Sequence, residues 1–143
     1  MYIINKFTDY LLLNVHSVSS VGLYNGKSGM SLCLFELSQY LHDGTLEDKA
    51  FELLQESLAL SSKKDRIDFE AGLSGIGFVL LYLIQNQLID ADYEELFGEQ
   101  SRKIVSRLQE QSVFSVKDLS FVYFLELLIH WTSKEDRDTG ILD

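Results

Sequence analysis

"GKSGMSLCLFEL", residues 26–37, recurs 46 residues later as "GLSGIGFVLLYL" (72–83) and again as "DLSFVYFLELLI" (118–129). In this register Gly26 falls on Gly72, Gly29 on Gly75, Ser28 on Ser74 and Ser120, and Leu34 on Leu80, while Phe51 and Phe97 keep the same interval. Self-similarity at a fixed period of this size marks a stack of supersecondary units, none of which buries its apolar face alone. The three segments 30–37, 76–84 and 121–129 are apolar on nearly all sides, the pattern of helices packed against neighbours all round. Between them, Phe51, Leu54 and Leu58 form one stripe at helical spacing and Phe97, Ile104 and Leu108 another, each opposite a charged face. About six helices are expected, outer amphipathic ones alternating with buried ones. The fold class is all-α: one domain, 1–143, of three repeated helical hairpins (1–43, 44–89 and 90–143), the third without the glycines.

The boundaries support this reading. Proline, which breaks helix interiors, is absent from all 143 residues. "HDGTLED" (42–48) offers His42 as a C-terminal cap, Gly44 as a helix stop and Thr45 as an N-cap with Asp48 in the capping-box position. "SVKD" (115–118) repeats the start signal, and "DADYEE" (90–95) loads acids onto a first turn, where the helix dipole favours them.

The glycines raise the question of a phosphate cradle. A P-loop needs G-x-x-x-x-G-K-[ST] so that its backbone N–H groups can wrap the phosphates. Five residues before Gly26 stands Val21, and Gly22 comes one position too late. The second copy keeps the glycine pair but has Leu73 where the first has Lys27, so the repeat retains a backbone feature and discards the charge. Gly22, Gly26, Gly29, Gly72, Gly75 and Gly77 are therefore read as structural glycines at inner-helix starts, letting a helix end lie against a neighbouring backbone where a Cβ would collide; a compatible, lesser reading has the free N–H groups of those starts face a cavity and hold an anionic group of a ligand.

Composition narrows the function classes. With 12 Lys and Arg against 22 Asp and Glu, a net charge of −10, the chain is a poor partner for nucleic acid or an anionic membrane, and Lys63, Lys64 and Arg66 are broken up by Asp65 and Asp68. No apolar run reaches the ~18 residues of a spanning helix, and the N-terminus reads as neither signal peptide nor anchor. The single cysteine, Cys33, fits a reducing cytoplasm and is expected to pack in the core. His130, beside Trp131, is read as packed or half-exposed.

"GLYNGKSG" (22–29) before a buried helix, followed by "GLSGIG" (72–77) and "YLIQNQLID" (82–90), resembles the lanthionine synthetase C-like family, which includes bacterial members of unassigned role. Gly22, Leu23, Gly26 and Gly29 match the family's longer glycine motif, and Gly72, Leu73, Gly75, Ile76 and Gly77 its shorter form. The resemblance implies an α/α toroid of helical hairpins, of which three would make an arc. It also implies, for cyclase members, thiol addition to dehydrated Ser or Thr in a precursor peptide, on zinc held by two cysteines and a histidine. One cysteine and His16, His42 and His130 do not supply that set. The expectation is a non-catalytic cytoplasmic scaffold with no metal and no cofactor, binding a peptide or protein partner or forming a homodimer through its unclosed flanks. The alternative is a piece of a zinc cyclase completed by another chain. Hydrolysis by paired carboxylates, Asp68 with Glu70 or Glu94 with Glu95, is the weakest reading.

Overall fold

In a computed structural model of the chain, residues 2–64, 66–118 and 124–130 are described. Among them there are six helices and no strand: α1 (Tyr2–Asn14), α2 (Lys27–Leu41), α3 (Gly44–Ser61), α4 (Leu73–Gln85), α5 (Tyr93–Glu110) and α6 (124–130). Short 3-10 turns follow α1 (Val15–Ser17) and precede α6 (Val116–Asp118).

The repeat is visible in the hydrogen bonds that start α2 and α4. The first helical N–H groups have no partner within their own helix and need one elsewhere. Gly26 and Gly72, at the N-cap positions, carry no side chain to serve. The preceding loop supplies its carbonyls instead, seven residues back each time. Lys27 N donates to Ser20 O (2.9 Å) and Leu73 N to Arg66 O (3.0 Å); Ser28 N donates to Val21 O and Ser74 N to Ile67 O. The buried hydroxyls of Ser28 and Ser74 donate to those same two carbonyls, at 2.5 Å each. Every one of these pairs is related by the 46-residue interval, so the repeated serines are caps that the loop makes possible.

This arrangement holds the loop so close that side chains do not fit. A Cβ on Gly29 would run into the Leu23 carbonyl, and one on Gly75 into the Phe69 carbonyl, again positions 46 apart. The two loops also bond to each other, Tyr24 N donating to Glu70 O at 2.8 Å, and a Cβ on Gly22 would stand 2.5 Å from the Ala71 Cα. Gly77 serves differently: deep in α4, it makes room for the rings of Phe97 and Phe124.

α2 and α3 form the closest pair. His42 takes a left-handed conformation (φ 51°) with its N–H on Ser38 O, as the sequence suggested. The expected start of α3 needs correction. Asp43, not Thr45, is the N-cap: its carboxylate accepts from Thr45 N (2.9 Å) and Thr45 Oγ1 (2.6 Å), and Gly44 opens the helix instead of ending the previous one. The carboxylate's reach to the N–H two residues on outcompetes the hydroxyl. A two-residue connection then folds α3 back along α2. Ser31 donates to the Ala50 carbonyl (2.7 Å), Phe35 meets Phe51 edge to face, and Lys27 pairs with Glu56 at 2.6 Å. α4 and α5 form the second pair, with Asp92 capping through Glu95 N. α2 lies beside α4 and α3 beside α5.

The core runs through all of these elements. α4 buries nine of its 13 residues, which fits its near-continuous apolar sequence. α2 is less enclosed than its composition predicts, since Cys33 and Glu36 face outward. The stripe on α3 is also displaced. Ala50, Leu53, Leu54 and Ser57 are buried, whereas Phe51 is 36% exposed; its repeat-mate Phe97 is fully buried. At the third repeat, residues 119–123 lie outside the described residues, Ser120 among them; Ser115 N donates to the Asp118 carboxylate at 2.6 Å, one half of the expected capping box.

Among the described residues one buried side-chain group is left wanting. The Ser57 hydroxyl, within α3, has no hydrogen-bond partner among them. An unsatisfied buried hydroxyl costs stability, and Ala is the better helix former, so Ser57→Ala is expected to stabilise the chain by about 1 kcal/mol. A rise in the urea midpoint with unchanged slope is the readout; a fall would show that the hydroxyl is bonded in solution.

Candidate functional site

α2 and α4 present equivalent faces side by side. Leu32, Cys33, Glu36 and Leu37 share one side of α2, and Phe78 and Tyr82, 46 residues beyond Leu32 and Glu36, share the matching side of α4. With Phe7 of α1 they line a groove of about 430 Å³, the size of small-ligand sites in general. Its walls are apolar apart from one polar pair, the Tyr82 hydroxyl donating to Glu36 Oε1 at 2.5 Å. The interval of 46 held the signal for this pair, since Glu36 and Tyr82 occupy the same repeat position; reading the repeat for its glycines alone missed it.

Cys33 corrects the sequence expectation: it is exposed along this groove and not packed in the core. Position 33 falls between the buried turns set by Ser31, Leu34 and Phe35, so its side chain leaves the core side of α2. Partial enclosure of the thiol by the groove walls, and then the charge of Glu36, push it above its ordinary pKa. Metal binding and nucleophilic attack both require the thiolate, which this environment disfavours. The hydrogen bond to Glu36, followed by burial and the carboxylate's charge, likewise raises the Tyr82 phenol, which stays protonated as the donor.

The zinc set that the family resemblance implies does not fit these residues. No histidine lines the groove with Cys33. His16 lies 3.4 Å from the Lys49 ammonium, His42 forms the α2 cap, and His130 is exposed at the end of α6. Among the described residues no three His, Cys, Asp or Glu side chains converge as a metal site.

The other sequence candidates have structural occupations. Asp68 receives Arg66 through Nε (2.9 Å) and Nη2 (3.1 Å), and Ala71 N at 3.0 Å; burial acts to raise its carboxyl, but these donors outweigh it and hold the group below its usual range. Glu94 pairs with Arg102, and Glu70 and Glu95 are exposed. The glycine loop cradles its own chain: the N–H groups of Lys27, Ser28 and Gly29 donate to the loop carbonyls of Ser20, Val21 and Gly22, and that of Met30 to the cap residue Gly26. A second hollow of about 320 Å³ sits at the α4–α5 turn, lined by Ile84 and residues 87–91, with Asp90 its one charge. No helix among the described residues is long and apolar enough to cross a membrane.

Comparison with curated proteins and with solved structures found no significant match. Comparison with protein-family models matched residues 2–123 to the lanthionine synthetase C-like protein family, so the match covers the paired glycine loops, the groove and five complete helices. The chain therefore belongs to the lanthionine synthetase C-like family.

Proposed function

We propose that this chain is a non-catalytic member of its family: an arc of helical hairpins that binds a peptide or protein segment in the groove between α1, α2 and α4. The observation that carries the reading is the groove's chemistry. It offers apolar walls of peptide-side-chain size, one hydrogen-bonded carboxylate, and a thiol whose surroundings favour the protonated form. Such a surface suits an apolar side chain in an extended or helical ligand, with Glu36 placed to accept from a donor beside it. The side-by-side placement of α2 with α4 and α3 with α5 supports the arc.

The test uses random dodecapeptides selected by display against the whole chain. Selected peptides are expected to protect Cys33 from maleimide, and to bind at least about tenfold less tightly to Cys33→Trp, which fills the groove from an exposed position, a loss of about 1.4 kcal/mol. Peptides that bind Cys33→Trp as well as the parent would overturn the site. One tightly held zinc per chain would overturn the non-catalytic reading.

A further inference from the structure

α1 buries only Thr8 and Leu11, while large apolar side chains stand on its other side. At 100° per residue, Tyr2, Lys6, Asp9 and Leu13 fall within about 60° of one another, on the strip opposite Thr8 and Leu11. Tyr2 is 77% exposed and Leu13 82%, and Lys6 and Asp9 are exposed as well. The Lys6 ammonium lies 6.0 Å from the centre of the Tyr2 ring, and Asp9 takes part in none of the ion pairs found among the described residues. Phe7, which lines the groove, lies to the side of this strip.

The order of the four residues is self-complementary. A twofold axis passing between residues 7 and 8 sets two antiparallel copies of α1 together so that Tyr2 faces Leu13 of the second copy and Lys6 faces its Asp9, with both pairs repeated by the symmetry. Apolar meets apolar and cation meets anion at all four places. In the parallel arrangement Lys6 would face Lys6 and Asp9 would face Asp9. A second copy also accounts for the charge: each chain carries −10, and this strip, with one cation and one anion, lets two such chains meet without facing like charges.

We propose that the outward strip of α1 is the contact for a second copy of this chain, forming an antiparallel twofold dimer. The interface is independent of the groove and its occupant. A 13-residue helix is about 20 Å long, so the contact is at the low end of specific interfaces and its Kd is expected in the micromolar range.

Sedimentation equilibrium of the full chain from about 1 µM to 1 mM decides it. The wild type is expected to pass from the 16.4 kDa monomer to twice that mass. Lys6→Asp and Asp9→Lys should each weaken the dimer at least about tenfold, a loss of about 1.4 kcal/mol, and Leu13→Glu should abolish it. The double exchange, Lys6→Asp with Asp9→Lys, should restore it, because only an antiparallel pair keeps opposite charges together after the swap. All three substituted positions are exposed, and unchanged far-ultraviolet circular dichroism of every variant verifies the fold. A chain monomeric up to 1 mM, or a dimer indifferent to Leu13→Glu and to the single charge reversals, would overturn the proposal, as would failure of the double exchange to recover association.

Discussion

Gly75→Ala is expected to destabilise the chain by about 3 kcal/mol or more, at the upper end of what overpacking costs. The new methyl would enter the Phe69 carbonyl and stand 2.9 Å from the Leu23 Cβ. The first obstacle is backbone and cannot swing aside. It also belongs to the loop whose carbonyls cap α4, so yielding would strip the Leu73 and Ser74 N–H groups of their acceptors. Gly29→Ala should behave alike, since the Leu23 carbonyl stands in the same relation to it. Gly44→Ala is the control: nothing lies within 4 Å of its Cβ position, and the change should stay within about 0.5 kcal/mol of neutral. Urea unfolding of the three variants is the measurement, and a mild Gly75→Ala would mean that the loop stands farther from α4 than described.

Phe97→Ala is expected to cost about 3–5 kcal/mol, against about 1 kcal/mol for Phe51→Ala, although the repeat makes the two residues equivalent. Phe97 is fully buried and fills the space over Gly77 beside Phe124 and Tyr93. Removing it leaves a cavity among fixed walls. Phe51 loses one edge-to-face contact with Phe35, and solvent enters where its ring was. Folded domains are stable by only about 5–15 kcal/mol, so Phe97→Ala would remove a large share of the total. Equal losses at the two sites would contradict the asymmetry in burial.

The sequence carried the helical order because a 46-residue interval in Gly, Ser and Leu records backbone approach and core facing together, both of which demand specific residue types. The glycines were legible for the same reason: Gly29 and Gly75 forbid any side chain, so the pattern survives in single letters. The groove was harder to read. Cys33 is apolar in type and lies in an apolar run, and only the angular placement of Ser31, Leu34 and Phe35 shows that position 33 leaves the core. The Asp43 cap was hidden by a second plausible capper two residues on, a competition that backbone geometry decides and composition does not. Phe51 was misplaced because Ser57 and Ala50, small residues with weak apolar signals, hold the true contact face of α3.

The bond from Tyr24 N to Glu70 O joins two loops that would otherwise belong to separate repeats. Tandem repeats commonly unfold piecemeal, each unit held to the next by an interface that can open on its own. Here the connection lies in the loops that cap the first turn of each inner helix. Opening the interface between the repeats therefore removes support from the loop that starts α4, and fraying of α4 loosens the loop that starts α2. The two hairpins are thereby tied together, and they are expected to unfold as one cooperative unit despite their repetitive origin.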